Sequence, residues 1–307
     1  MGSFFSSSSK VDDIPDLTGC VAIVSGANSG IGFQTVKQLA RRGAKVYLGA
    51  RSESKAKDAI QRLHDEGLGP NPGEIIWLNL DLTYPSKAKQ AAEYILAREK
   101  RLDILDGLSE NMVINHLSPF LFTNTLLPLL VATSKLPDSD VRIVNVSSIA
   151  HTWVKKPRYD SLAALNQSYT DARMANMTLY GYTKLANILY TKELQKRLDA
   201  QGAAIIVTAP HPGGVLTEGA QKMMGAYPLG GLILKILPLF TTPIDRAADP
   251  SLFAAASPAV RANAAAFKGA YLMPVGKITK PSADAQDAGL ARDLWATSEQ
   301  QLAVLGL

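Results

Sequence analysis

The chain has a single cysteine, Cys20. No disulfide can form within it, so the fold must rest on core packing, and the composition suits a reducing compartment. Cys20 opens an apolar run and reads as a buried structural thiol. Charged residues are scarce at 19% of 307, which argues against a disordered or solvating role. The net charge of +5 is spread along the chain with no Lys/Arg run, so nucleic-acid binding is not expected. The four histidines are scattered and no His, Cys and acid cluster has ligand spacing, so no metal is expected. No stretch reaches the roughly 18 consecutive apolar residues of a membrane span. The nearest, Tyr227 to Phe240, is broken by Pro228, Lys235 and Pro238.

The start, MGSFFSSSSK, lacks the apolar stretch of a signal peptide. Gly2 and Ser6 match the myristoylation pattern Met-Gly-x-x-x-Ser, against the plainer reading of a Ser-rich leader. A cytoplasmic location with at most peripheral membrane contact is expected; one acyl chain would bind membrane only marginally. Residues 1–16 are read as a disordered leader and 17–307 as one domain.

At 47%, apolar residues suffice for a sizeable core. Apolar runs at Val21–Ser25, Lys45–Ala50, Glu74–Asp81, Leu102–Leu105, Val141–Ser147, Ala204–Ala209 and Gly269–Met273 read as strands. Helical patterns fill the gaps, including Ser109–Val131, Met174–Ala200 and Ala283–Leu302. Continuous apolar strands alternating with helices describe an α/β, doubly wound, parallel Rossmann-like sheet.

The first strand runs into Ser25-Gly26-Ala27-Asn28-Ser29-Gly30-Ile31-Gly32, and a helix follows. A tight strand-to-helix turn needs positive φ or close backbone approach, which glycine supplies cheaply. The exposed N–H groups and helix dipole then suit a pyrophosphate. The second strand ends at Arg51 with no acid beside it, which favours the 2′-phosphate of NADP(H) over the ribose hydroxyl of NAD. The mild positive charge agrees with an anionic cofactor or means nothing.

Tyr180 and Lys184 are four apart on one helix face. A free phenol is a poor base near neutrality, and a neighbouring ammonium stabilises its anion. With ten tyrosines the spacing alone says little; Tyr169 and Arg173 repeat it, and Tyr182 lies beside it. Its weight comes from Asn145-Val146-Ser147-Ser148 after strand five and His211-Pro212-Gly213-Gly214-Val215-Leu216-Thr217 after strand six, where parallel sheets present functional side chains.

Together, Gly-x-x-x-Gly-x-Gly, Asn-x-Ser-Ser, Tyr-x-x-x-Lys and Pro-Gly-x-x-x-Thr resemble the short-chain dehydrogenase/reductase family from Leu17 onward. Asn115–Phe120 and Thr183–Asn187 look like its retinol-dehydrogenase-like branch, particularly fungal members. The resemblance implies an oxidoreductase interconverting a carbonyl and an alcohol on a small lipophilic substrate, such as a ketoreductase of fungal secondary metabolism, acting as a dimer or tetramer. Ser148, rather than Ser147, would bind the substrate oxygen. Asn115 would anchor a water leading to Lys184, against the plainer reading of a helix-interior hydrogen bond. Asp81 and Leu82 would flank the adenine. Thr217 and the backbone near Val215 would hold the carboxamide. The segment from Thr217 to Thr242, rich in Met and aliphatics, reads as a lipophilic substrate cover, an amphipathic membrane patch or a plain helix. His151, Trp153 and Tyr159 could border the same pocket.

One feature departs from the family. Strand four should continue into Asn-Asn-Ala-Gly, yet Leu105 passes straight to Asp106-Gly107-Leu108. Strand four is therefore expected to be truncated, with stability and activity reduced. The second reading of function is a degenerate, non-catalytic cofactor-binding or regulatory protein.

Overall fold

The computed structural model describes residues 13–107, 112–167, 169, 174–215, 241–243 and 246–307. Eight strands form one sheet: β1 (Val21–Ser25), β2 (Lys45–Ala50), β3 (Ile75–Asn79), β4 (Ile104–Gly107), β5 (Val141–Asn145), β6 (Ile205–Pro210), β7 (Tyr271–Met273) and β8 (Lys277–Ile278). Their order is β3-β2-β1-β4-β5-β6-β7-β8, and only the β7–β8 pair is antiparallel. The connection from β3 back across β1 to β4 reverses the winding, so the switch point lies between β1 and β4.

The long helices are α1 (Gly30–Arg41), α2 (Glu53–Asp65), α3 (Pro85–Leu96), α4 (Ser118–Thr133), α5 (Ala175–Ala200), α6 (Asp249–Ala256) and α7 (Ala288–Val304). They cover both sheet faces, which is why β1 is buried at every position and apolar from Val21 to Val24. Val21 and Ile23 join the core beneath α3, α4, α5 and α7, while Ala22 and Val24 join the core beneath α1, α2 and α6. This is the period of two expected of a strand buried on both sides.

Packing begins earlier than the expected boundary at Leu17. Ile14 is buried against the second core, and its carbonyl accepts from Arg42 Nε at 3.3 Å. Residues 1–12, with Gly2 and Ser6, lie outside the described residues.

β4 sits two residues later than its apolar run implied. Leu102 N donates to Thr133 Oγ1 (2.9 Å), and the Asp103 carboxylate takes Val21 N–H (2.9 Å) and the Arg101 fork. The parallel ladder pairs Ile104 with Ala22 and Arg142 and runs to Gly107 opposite Asn145. The strand is short, and its last places are filled by Asp106 and Gly107.

Of the helix expected from Ser109, residues 109–111 lie outside the described residues, and the part that follows contains a π-turn, Val113–Leu117, that leads into α4. Together, Val113–Thr133 span 21 residues with mean hydropathy 1.2, long and apolar enough by composition to cross a membrane. Asn115, His116 and Asn124 interrupt the stretch, and 56% of its most apolar window is buried within the protein.

Candidate active site

The glycine bend sits at the C-terminal end of β1, beside the switch point. Gly26 and Gly30 have φ of 62° and 60°, a region that a Cβ disfavours. Gly32 is required for a different reason. A Cβ there would stand 2.7 Å from the Gly26 carbonyl oxygen and 2.9 Å from Ala27 Cα. The bend and the helix thus approach so closely that only a bare backbone fits. Ser29, the extended residue before α1, makes no side-chain cap bond. First-turn N–H groups of α1 therefore keep the dipole-assisted capacity for an anion that helix starts provide. The cradle fits a pyrophosphate, with Ser25, Asn28 and Ile31 around it.

Gly32→Ala is expected to weaken binding of a nicotinamide dinucleotide by more than about tenfold, or about 1.4 kcal/mol. Fluorescence titration checks this, with circular dichroism as the control for folding. Unchanged affinity would remove the cradle from the site.

Arg51 is exposed immediately after β2. The Asp81 carboxylate, beyond β3, accepts from Thr83 N at 2.9 Å, a local turn bond. Leu82 beside it is buried. Pro212, Gly213 (φ 90°) and Val215 follow β6, where Thr242 N donates to Gly214 O at 2.7 Å. Thr217 and the expected substrate cover over residues 216–240 fall outside the described residues.

The chemistry-bearing residues come from β5, the π-turn and α5. Ser147 is fully buried and its hydroxyl donates to Lys184 O at 2.8 Å, a structural task. Ser148 Oγ accepts from Ala150 N at 3.2 Å. That bond occupies a lone pair and leaves the O–H to donate to another oxygen. Lys184 is 2% exposed; its ammonium donates to Val146 O at 3.1 Å and lies 5.5 Å from the centre of the Tyr180 ring. Asn187 Nδ2 donates to the same carbonyl at 3.0 Å.

Gly181 explains how these elements meet. A Cβ there would stand 2.4 Å from Ala150 O, so α5 presses its Tyr180 turn directly onto the turn that starts at Ser148. Asn115 is 3% exposed within the π-turn, an irregularity that often marks functional sites. Its Nδ2 donates to Thr183 Oγ1 at 2.5 Å, while its Oδ1 meets no protein partner. The amide thus reaches across to the neighbour of Lys184 rather than serving its own helix.

Tyr182 is excluded as the acid. It is fully buried, its hydroxyl donates to the carbonyls of Arg158 (2.5 Å) and Ala164 (2.8 Å), and burial raises its pKa further. Tyr159, expected at the pocket rim, is instead core: its ring stacks on Tyr182 at 4.5 Å and its hydroxyl donates to Tyr182 O at 2.8 Å. His151 is also buried, at 2% exposure, whereas Trp153 is exposed. Among the described residues no His, Cys, Asp and Glu group could hold a metal ion.

A doubly wound sheet with a glycine bend at its switch point and a Tyr–Lys turn pressed on a serine defines the class of dinucleotide-dependent oxidoreductases. The short chain dehydrogenase family profile matches residues 20–161. A short-chain dehydrogenase/reductase of Armillaria gallica is 48% identical over 96% of this chain and 98% of its own. One from Colletotrichum higginsianum is 41% identical over 92% and 74%. The crystal structure of an uncharacterized protein from Mycobacterium paratuberculosis superposes with a TM-score of 0.66 at 28% identity, covering 94% of this chain and 96% of that one. The chain belongs to the short-chain dehydrogenase/reductase family.

Proposed function

We propose that this oxidoreductase uses NADP(H) to interconvert a carbonyl and an alcohol on a small lipophilic molecule, in the setting of fungal secondary metabolism. The observation that carries the reading is the buried Lys184 ammonium beside the Tyr180 ring, on a helix turn pressed against Ser148. A bound nicotinamide would supply or take the hydride at the substrate carbon.

In the reducing direction, Tyr180 gives its phenolic proton to the carbonyl oxygen, and the C=O π pair becomes the new O–H bond. Ser148 O–H steadies that oxygen as its charge grows. The Lys184 ammonium stabilises the phenolate left behind, so proton loss costs less than from an isolated phenol. A water on Asn115 Oδ1 would return the proton. Gly26, Gly30, Gly32 and the start of α1 would hold the pyrophosphate, and Arg51 the 2′-phosphate. The reading as a non-catalytic cofactor binder, motivated by the missing Asn-Asn-Ala-Gly segment, is not favoured, because Ser148 and the Tyr180–Lys184 turn meet at Gly181 and Asn115 reaches Thr183 beside Lys184. A cytoplasmic location with at most peripheral membrane contact, and self-association, belong to the same proposal.

The test is oxidation of NADPH and of NADH by the purified protein with decanal, methyl octyl ketone and cyclohexanone. Faster oxidation with NADPH is expected; no oxidation with any carbonyl would reject the reading. Arg51→Ala should raise KM for NADPH by roughly ten- to a hundredfold, the worth of a charge-assisted phosphate contact, and leave that for NADH nearly unchanged. Equal effects on both coenzymes would remove Arg51 from the phosphate site.

A further inference from the structure

Beyond the residues that touch substrate, Ser148 has to be held in place, and its backbone carbonyl shows how. That oxygen accepts from His151 N at 3.2 Å, closing a single turn, and lies 2.7 Å from His151 Nδ1. On the far side of the ring, Ser282 N–H points at Nε2 over 3.2 Å. A backbone N–H can only donate, so Nε2 carries no proton. The proton is therefore on Nδ1, where it completes a bond to Ser148 O. Both ring nitrogens are satisfied, each by main chain.

The ring packs edge-on against Tyr271 of β7, with centroids 4.9 Å apart, and burial keeps it neutral. His211, just past β6, is held neutral likewise, by burial. His151 thus bridges the turn after β5 to the segment that leads into α7. On the opposite side, Ser147 Oγ bonds Lys184 O, and Lys184 and Asn187 hold Val146 O. The Ser148 hydroxyl is fixed relative to Tyr180 from both directions.

We infer that His151 is a positioning residue: its neutral imidazole clamps the Ser148 backbone so that the Ser148 and Tyr180 hydroxyls converge on one substrate oxygen. The inference rests on the proposed carbonyl chemistry. Convergence of two donors is sensitive to small displacements, and a shift of about 1 Å can cost about a hundredfold in rate.

Three variants of the full chain separate this role from filling space. His151→Phe keeps the volume and loses both bonds. His151→Asn places an amide donor near the Nδ1 position and can still reach Ser148 O. His151→Gln places its amide nearer the Nε2 position and serves Ser282 instead. With NADPH and whichever probe carbonyl the unmodified protein reduces fastest, His151→Phe is expected to lower kcat about thirty- to a hundredfold. KM and Kd for NADPH should change less than about twofold. His151→Asn should recover most of the loss, and His151→Gln should not. Near-normal kcat in His151→Phe would overturn the inference. So would equal losses in Asn and Gln, because the bond to Ser148 would then be irrelevant. If His151→Phe does not fold, Asn against Gln decides alone: Asn above Gln supports the clamp, Gln equal or above overturns it. NADPH binding without turnover in the unmodified protein would instead reject the proposed function, and the clamp with it.

Discussion

Tyr180→Phe is expected to lower kcat by about three orders of magnitude while leaving NADPH affinity within about twofold. The change removes one oxygen and keeps the ring that faces the Lys184 ammonium, so the helix turn has no cause to move. Two neighbouring phenols among the described residues cannot take over. Tyr182 is fully buried with its hydroxyl spent on Arg158 O and Ala164 O, and Tyr159 is buried with its hydroxyl on Tyr182 O. Ser148 can donate a hydrogen bond, but an alcohol is far too weak an acid to give up its proton near neutrality. Single-turnover oxidation of NADPH at saturating carbonyl checks the prediction, because it isolates chemistry from product release. Retention of more than about a tenth of the rate would break the assignment of Tyr180 as proton donor, whatever its position.

The parts of this site that could be read from sequence are those encoded within one strand end or one helix turn. The glycine bend is legible because Gly26, Gly30 and Gly32 fall between an apolar strand and a helix. Tyr180 and Lys184 are legible because four residues bring side chains to one face. The sheet was legible for the same reason, since β1 must satisfy two cores and shows it at every position. What escaped depends on contacts distant in sequence. The bond from Asn115, a residue singled out only by the family resemblance, spans 68 residues to Thr183, through a π-turn that no hydrophobic period announces. His151 looked like a pocket residue because its partner amide, at Ser282, is 131 residues away. Nothing in the sequence of its strand marks Arg142 for a distant contact. It is fully buried, paired with Asp140, and donates to Ala254 O and Ser257 O, fastening α6 to the sheet. The start of β4 was misplaced because Leu102 is as apolar as its neighbours, while its N–H goes to a threonine side chain rather than to the ladder.

The largest effect on stability is expected at Asp106, where the departure from the family pattern meets the core. Asp106 stands in register between Val24 of β1 and Val144 of β5, both members of the core beneath α1 and α6. It is fully buried, and neither carboxylate oxygen finds a hydrogen-bond partner of good geometry. Burial pushes its pKa up to about 7, opposed only by the Gly107 N–H. The sign of the linkage follows. A carboxyl whose folded pKa exceeds its unfolded value is harmless below about pH 3, where both states are largely protonated. As pH rises toward 7 the unfolded chain ionises first, and stability falls. A shift of about three units at about 1.4 kcal/mol each sets an upper limit near 4 kcal/mol on the loss. The protein should therefore melt at a lower temperature at pH 8 than at pH 5, and Asp106→Val should raise the melting temperature at pH 8 and flatten the difference. Asp106→Asn should gain less, because an unpaired amide still pays for burial. Alignment with the Armillaria relative runs over 315 positions, more than the 307 residues present here, so that relative has residues this chain lacks. Inserting Asn-Asn-Ala-Gly with its following loop after Leu105 would move Asp106 out of the central strand, and the alkaline loss of stability should vanish with it. If Asp106→Val and the insertion both leave the pH dependence of melting unchanged, the carboxylate is not the destabilising group, and the short strand four is fully compatible with its acid.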